Sequence, residues 1–220
     1  MNIDQARREH AARRATSVVE RYCQVHPDSL LAKKIADRSV TGVEAYQLLK
    51  EFARDPKTDV ARPDLLHLTI AHELDGAATH GWPISIVIVD LDDFKKINTE
   101  LTHVGADDIL RDVAEILREG VRDSDEILDD DGTVVRWGGE EFVIVLVGAN
   151  NENAVRVAER LRTAIADGFI GRRPNGKPVT ASFGVATWTN LDDGEWRDLL
   201  IKADTLLARA KAEGKNRVRF

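Results

Sequence analysis

Residues 136–142 read "RWGGEEF", a tryptophan and two adjacent carboxylates held apart by two glycines. Strand-forming "TVV" (133–135) leads in and "FVIVLV" (142–147) leads out, so the stretch predicts a β-hairpin in which Gly138 and Gly139 permit a tight turn. Glu140 and Glu141 then sit at the rim of a sheet, where they can bind a cation or a polar substrate. On the hairpin alone the plainer reading, the solvated start of a strand, is the favoured one.

Outward from the hairpin, helix and strand patterns alternate from Arg62 onward. A helix through "LLHLTIAHEL" precedes the buried-type strand "ISIVIVDL" (84–91), and a helix from about Val104 to Glu119 leads to the hairpin. A helix from about Glu152 to Ala166, a strand "VTASFGVAT" (179–187), a helix from about Glu195 to Ala212 and a short strand "RVRF" follow. The order β-α-β-β-α-β-α-β predicts an α+β fold, a mostly antiparallel central sheet flanked by helices.

A helical segment, residues 1–54, precedes this unit of 55–220. It reads as a helix from about Asp4 to Gln24, a break at "HPDS", and two shorter helices ending before "RDPKTD". Ala11, Ala15, Val18, Tyr22 and Val25 form a short seam flanked by Arg7, Arg14 and Arg21. That seam suits either a dimerising helix or one folded back on its own domain.

With 220 residues and 43% hydrophobic content the chain can bury a full core. The net charge of −7 argues against nonspecific nucleic-acid binding. Residues 1–55 carry 10 Lys+Arg against 8 Asp+Glu, so an excess of −9 lies in the remainder. The single cysteine, Cys23, excludes an intramolecular disulfide and a Cys-rich zinc site. The start "MNIDQARREH" is charged where a signal peptide would need an apolar core, and the longest apolar runs are strand-sized. The expectation is a cytoplasmic protein with no membrane span.

The first apolar strand ends in "VDLDDFKKIN", which clusters Asp90, Asp92 and Asp93. Three like charges so close repel one another unless a cation or solvent relieves them, and a hard divalent ion is the economical answer. Magnesium takes oxygen ligands, usually one or two carboxylates, and completes its shell with water and phosphate oxygens. If the strand ending at Asp90 lies beside the hairpin at Glu140, the two form such a site. Near the carboxyl end, "ARAKAEGKNRV" sets Lys211 and Lys215 four apart with Gly214 suited to end the helix. These lysines are either helix-dipole partners or holders of phosphate groups.

Taken together, these stretches resemble the GGDEF-domain diguanylate cyclases. "GGEEF" (138–142) is similar to the family signature, "DPKT" (55–58) to its Asp-Pro-Leu-Thr, "DLDDFKKIN" (90–98) to its Asp-x-Asp-x-Phe-Lys-x-x-Asn, and "HVGADDIL" (103–110) to its His-x-x-Gly-Asp-x-x-Leu. "VTASFGVA" and "AD…AKAEGKN" complete a set spanning about three quarters of the chain.

The resemblance implies a nucleotidyl-cyclase-like palm domain that condenses two GTP into cyclic di-GMP with release of pyrophosphate. It implies magnesium, with manganese as the alternative ion, held by Asp90, Glu140 and the backbone carbonyl of Leu91. Glu141 falls where the family places a residue proposed to assist deprotonation of the attacking hydroxyl. Amides around Phe94 and Lys95 are expected to cradle phosphates, Lys211 and Lys215 to hold the terminal ones, and Asn98 and Asp107 to read guanine. One domain binds one GTP, so a homodimer is expected, with the amino-terminal helices as dimerising element or contact for a regulatory partner.

Several positions depart from the family pattern. Thr99 stands for Asp, Thr102 and Ala106 for glycines, Lys215 for Arg, Ala208 for Tyr, and "ARP" (61–63) for the Asn-Arg of the opening motif. "RDSD" (122–125) is similar to the family's inhibitory Arg-x-x-Asp, which makes Arg122 and Asp125 a candidate product-inhibition site. However, 12 residues separate Asp125 from Gly138 where the family has about five. The extra residues include the acidic turn "DDDG", which lacks the other ligands of a calcium loop. Two other readings remain: a catalytically silent GGDEF-like module that binds GTP or cyclic di-GMP, and an enzyme making a mixed purine dinucleotide, against which Asp107 argues.

Overall fold

All eight residues of β1 (Ile84–Leu91) are buried, as expected for a β-branched run that faces helices on both sides of a sheet. A computed structural model of the chain describes residues 3–122, 134–168, 176–188 and 195–220, without the side chains of 3–8, 10–12, 102, 103 and 122. The sheet order is β2-β3-β1-β4-β5, with β2 (Val134–Gly138), β3 (Glu141–Val147), β4 (Ala181–Trp188) and β5 (Val218–Arg219). β1 pairs antiparallel with both β3 and β4, β2 pairs antiparallel with β3, and β5 runs parallel to β4. The expected α+β order and mostly antiparallel sheet are therefore present.

Alternation along β1 divides the core in two. Val87, Val89 and Leu91 pack with Ile109, Val113 and Leu117 of α5 (Phe94–Arg122) and with Val157 and Leu161 of α6 (Asn151–Asp167). Ile84, Ile86 and Ile88 pack on the other face with Leu66 and Ile70 of α4 (Pro63–His80) and with Leu199, Ala203 and Leu207 of α7 (Trp196–Ala212). A period of two on the strand, met by helices on both faces, accounts for this layering.

One boundary departs substantially from the sequence reading. The helix expected from about Val104 begins at Phe94 and continues to Arg122. Thr102 and Ala106 stand in place of the glycines that favour a break. Thr99 Oγ1 instead donates to the Lys95 carbonyl at 2.9 Å, one helical turn back, and Ala106 is buried in the core.

The amino-terminal helices are α1 (Ile3–Val25), α2 (Leu30–Ala36) and α3 (Gly42–Phe52). Thr41 and Glu44 form a reciprocal capping box at the start of α3. Val18 and Val19 of α1 pack with Ala45, Tyr46 and Leu49 of α3, with Tyr22 and Ala15 beside them. Arg14 pairs with Glu73 of α4 at 3.1 Å. Of the two readings of the seam, the structure has α1 folded back on its own chain at these residues. Val25, by contrast, is exposed.

Candidate functional site

Asp90 continues the face of β1 that carries Ile84, Ile86 and Ile88, so its carboxylate lies on the α4/α7 side of the sheet. The register sets Glu141 of β3 opposite Asp90 on one side and Ser182 of β4 on the other. At the same edge the Leu91 N–H reaches the Glu140 carbonyl at 3.4 Å. The hairpin that brings Glu140 there turns at Gly139, whose φ of +54° is left-handed, after a register shift between Arg136 and Gly138.

Helix α7 reaches the site because β4 carries glycine at 184. A Cβ built there would stand 2.0 Å from the Ala203 carbonyl oxygen and 2.4 Å from the Leu207 amide nitrogen. Only glycine lets helix and strand meet this closely. One turn beyond Leu207, Lys211 places Nζ 2.7 Å from Asp90 Oδ2.

The three aspartates do not share one environment. Asp92, 4% exposed, accepts from Ser182 Oγ at 2.7 Å, Thr180 Oγ1 at 2.8 Å and the Asn216 amide at 3.0 Å, so it ties the loop after α7 to the sheet. Asp93, with φ +57°, contacts Lys96 at 2.9 Å and Lys215 at 3.0 Å. Those two lysines, Lys96 foremost, hold its carboxyl down to about 2. Asp90 keeps the position facing the hairpin. Burial pushes its carboxyl upward, Lys211 opposes the rise, and Glu140 and Asp92 add to it. Glu141 is likewise raised, first by burial and then by the charge of Asp90.

The other expected residues divide. Phe94 and Lys95 open α5, where the first amides of a helix lack intrahelical acceptors and suit an anion. Lys215 is drawn toward the end of β1 together with Lys211. Asn98 and Asp107 are not brought side by side: they stand nine positions apart on one helix, a rise of roughly 13 Å. Asp107 instead meets Lys57, with Nζ 2.8 Å from Oδ1. The side chain of Arg122 and all of Asp125 lie outside the described residues.

Three participants escaped the sequence reading. Arg136 donates to Asp55 Oδ1 at 2.9 Å and to the Gly139 carbonyl at 2.8 and 3.1 Å, clamping the glycine turn to the "DPKT" turn. A charge two residues before the glycine pair was the available signal. Gly184 and Lys57 act through contacts distant in sequence, which a single chain does not encode locally.

Among the described residues no group of three or more His, Cys, Asp or Glu side chains stands ready for a metal ion. Two carboxylates and a strand-end carbonyl are nonetheless a hard oxygen set of the kind magnesium accepts when water and phosphate complete its shell. Asp90, Glu140 and Leu91 fit that description, and the electrostatic coupling of Asp90 to Glu140 is the kind a cation relieves.

Comparison with known proteins identifies a family over most of the chain. The family model "Diguanylate cyclase, GGDEF domain" matches residues 52–217. Diguanylate cyclase DosC of Escherichia coli (strain K12) is 32% identical over 168 residues, 76% of this chain and 35% of the relative. The chain thus spans about a third of the length of the curated relatives it matches. The active GGEEF domain of a diguanylate cyclase from Vibrio cholerae superposes with a TM-score of 0.58 at 27% identity, over 67% of this chain and 88% of that one. Diguanylate cyclase SiaD of Pseudomonas aeruginosa, in complex with its activator SiaC, covers 99% of this chain and 81% of its own at TM-score 0.68 and 25% identity. By its matched segment, its fold and its relatives, the chain belongs to the GGDEF-domain diguanylate cyclase family.

Proposed function

We propose that the chain condenses two molecules of GTP into cyclic di-GMP, releasing two pyrophosphates, and that it does so as a homodimer. The observation that carries this reading is the meeting of Asp90, Glu141 and Lys211 at one sheet edge beside the Glu140 turn. Asp90, Glu140 and the Leu91 carbonyl would hold magnesium, or manganese in its place. When bound, the ion supplies acidity to the 3′-hydroxyl and neutralises charge on the departing pyrophosphate.

This chain's own groups do the rest. Glu141, whose raised carboxyl holds a proton more readily than an ordinary glutamate, is suited to take the hydroxyl proton. The amides at Phe94 and Lys95 receive phosphate oxygens. Lys211 and Lys215, resting on Asp90 and Asp93, turn to the terminal phosphates once nucleotide enters. Asp107 accepts from the guanine edge, and Asn98 lines the approach along α5. Each domain holds one GTP, so two must face each other for each 3′-hydroxyl to reach the other's α-phosphorus.

Within this reading residues 55–220 are the catalytic unit and 1–54 a dimerising or regulatory segment. Exposed Val25, Leu30 and Phe52 on the amino-terminal helices offer apolar surface for a second copy or a regulatory protein. The match to SiaD, which extends over these helices in a complex with its activator, favours that role. Among the described residues no helix is long and apolar enough to cross a membrane, in keeping with action in the cytoplasm.

Purified chain with magnesium and GTP, analysed by mass spectrometry, tests the proposal. Cyclic di-GMP is expected from the native chain and none from Glu140→Gln. Nucleotide binding without pyrophosphate release would replace this reading with that of a silent regulatory module, and a mixed product from GTP plus ATP would replace it with the mixed-dinucleotide enzyme.

A further inference from the structure

We infer that Lys57 is a specificity-determining residue, which together with Asp107 reads the guanine edge as a donor–acceptor pair. Lys57 Nζ donates to O6, and the Asp107 carboxylate accepts from N1–H and the 2-amino group. The inference rests on the reading of Asp107 as the base-binding carboxylate. It adds a group that the family pattern lacks, since the position of Lys57 in "DPKT" is leucine in the family's opening motif.

The pair joins residues 50 positions apart, with Nζ 2.8 Å from Oδ1. Both backbones are fixed. Asp55 Oδ1 accepts from the Lys57 amide at 3.2 Å, the Thr58 amide at 3.0 Å and Thr58 Oγ1 at 2.7 Å. The Asp59 amide returns to the Asp55 carbonyl at 2.9 Å, and the Asp55 amide reaches the Val60 carbonyl at 2.8 Å. Across from this turn, Asp107 rides on a helix anchored by Ala106, Ile109 and Leu110 in the core. The lysine side chain itself is 51% exposed.

An ion pair this exposed contributes little to stability, so a purely structural role explains it poorly. It engages one carboxylate oxygen and sets a cation where the O6 of a docked guanine would fall if N1–H points at the same carboxylate. Asn98, the other expected base reader, stands nine residues earlier on the helix, so the donor beside Asp107 is Lys57. Adenine would turn its 6-amino donor toward the ammonium and its N1 lone pair toward the carboxylate. Donor would then face donor and acceptor face acceptor, and neither charged group would gain a partner on the base, a mismatch that discriminates between bases.

Binding of GDP, 6-thio-GDP and ADP, measured calorimetrically with magnesium, tests the inference, because none of the three carries a pyrophosphate leaving group. The native chain should prefer GDP over 6-thio-GDP, whose sulfur is a poorer acceptor, and reject ADP. Lys57→Leu should weaken GDP binding on the order of tenfold, leave 6-thio-GDP nearly unchanged and narrow the gap to ADP. Lys57→Arg should keep most of the preference, and circular dichroism should show native helix content in both variants. Unchanged or tighter GDP binding by Lys57→Leu, in a native chain that binds GDP, overturns the role of Lys57 alone. A native chain that binds no GDP overturns the nucleotide-site reading, and this inference with it.

Discussion

The Lys211 ammonium lies 2.7 Å from Asp90 Oδ2, a side chain of this protein's own resting on the carboxylate proposed to hold a metal. Asp90 is 7% exposed, so its charge needs a counter-ion, and without metal the lysine supplies it. In the proposed mechanism helix α7 would couple phosphate binding to cation binding, since a metal held at Asp90 would free the lysine proposed to meet the terminal phosphates.

Lys211→Met should therefore destabilise the metal-free protein by about 1–2 kcal/mol, less than for a fully buried pair because the lysine is partly solvated. Magnesium should raise the melting temperature of the variant more than that of the native chain, because the ion then replaces the positive charge that Lys211 gives Asp90 in the native chain. Equal magnesium-dependent shifts in parallel thermal melts would count against a cation at this carboxylate.

Gly184→Ala is expected to cost about 3 kcal/mol or more. The atoms in the way are the backbone of Ala203 and Leu207, which cannot rotate aside as a side chain can. Either the helix shifts or the strand does, and both movements carry Lys211 away from Asp90. Urea denaturation should show the loss of stability, and cyclase turnover should fall with it. A variant of native stability would mean that α7 does not seat on β4 as described.

Asp55→Asn tests the clamp between the two turns. Burial alone would raise the Asp55 carboxyl, but hydrogen bonds from Thr58 and Arg136 overcome it, and the folded-state value is lowered. A carboxyl lowered by folding stabilises the protein above its unfolded value, about 3.9, and loses that contribution as pH falls through the folded value. The variant should thus be less stable near neutrality by about 2 kcal/mol. The gap to the native chain should narrow as pH drops below about 4. Denaturation series at several pH values measure it, and a gap independent of pH would show that Asp55 does not act through its charge.

Much of this architecture could be read along the chain. Ile84 to Leu91 reads as a buried strand, and Gly138–Gly139 between strand-forming runs reads as a turn. What the sequence withheld is what depends on neighbours in space. Asp90, Asp92 and Asp93 read as one acidic cluster, yet each finds a different partner because β4 offers Ser182, the residue before that strand is Thr180, and the segment after α7 offers Asn216 and Lys215. The helix read from about Val104 begins at Phe94 instead, because Thr102 and Ala106 take the place of glycines and let it run on. Gly184 looked like any strand residue, since nothing local reports that a helix backbone lies against it.

The Arg14–Glu73 pair gives the last prediction, which concerns the amino-terminal segment. Both residues are buried, at 6% and 3% exposure, and they join α1 to α4 at 3.1 Å, while Val18 and Val19 pack on α3. Removing one member of such a pair leaves the other charge in a poorly solvated place, which costs about 3 kcal/mol. Glu73→Ala should therefore loosen α1 while the sheet, whose strands share none of these contacts, keeps its protection. Amide hydrogen exchange should report faster exchange across residues 14–25 with β1 and β3 unchanged. Adding Arg14→Ala should restore part of the loss, because the buried positive charge is then gone. If exchange rose equally in α1 and β1, the amino-terminal helices would be part of one cooperative unit with the sheet, and a regulator could not act by moving them separately.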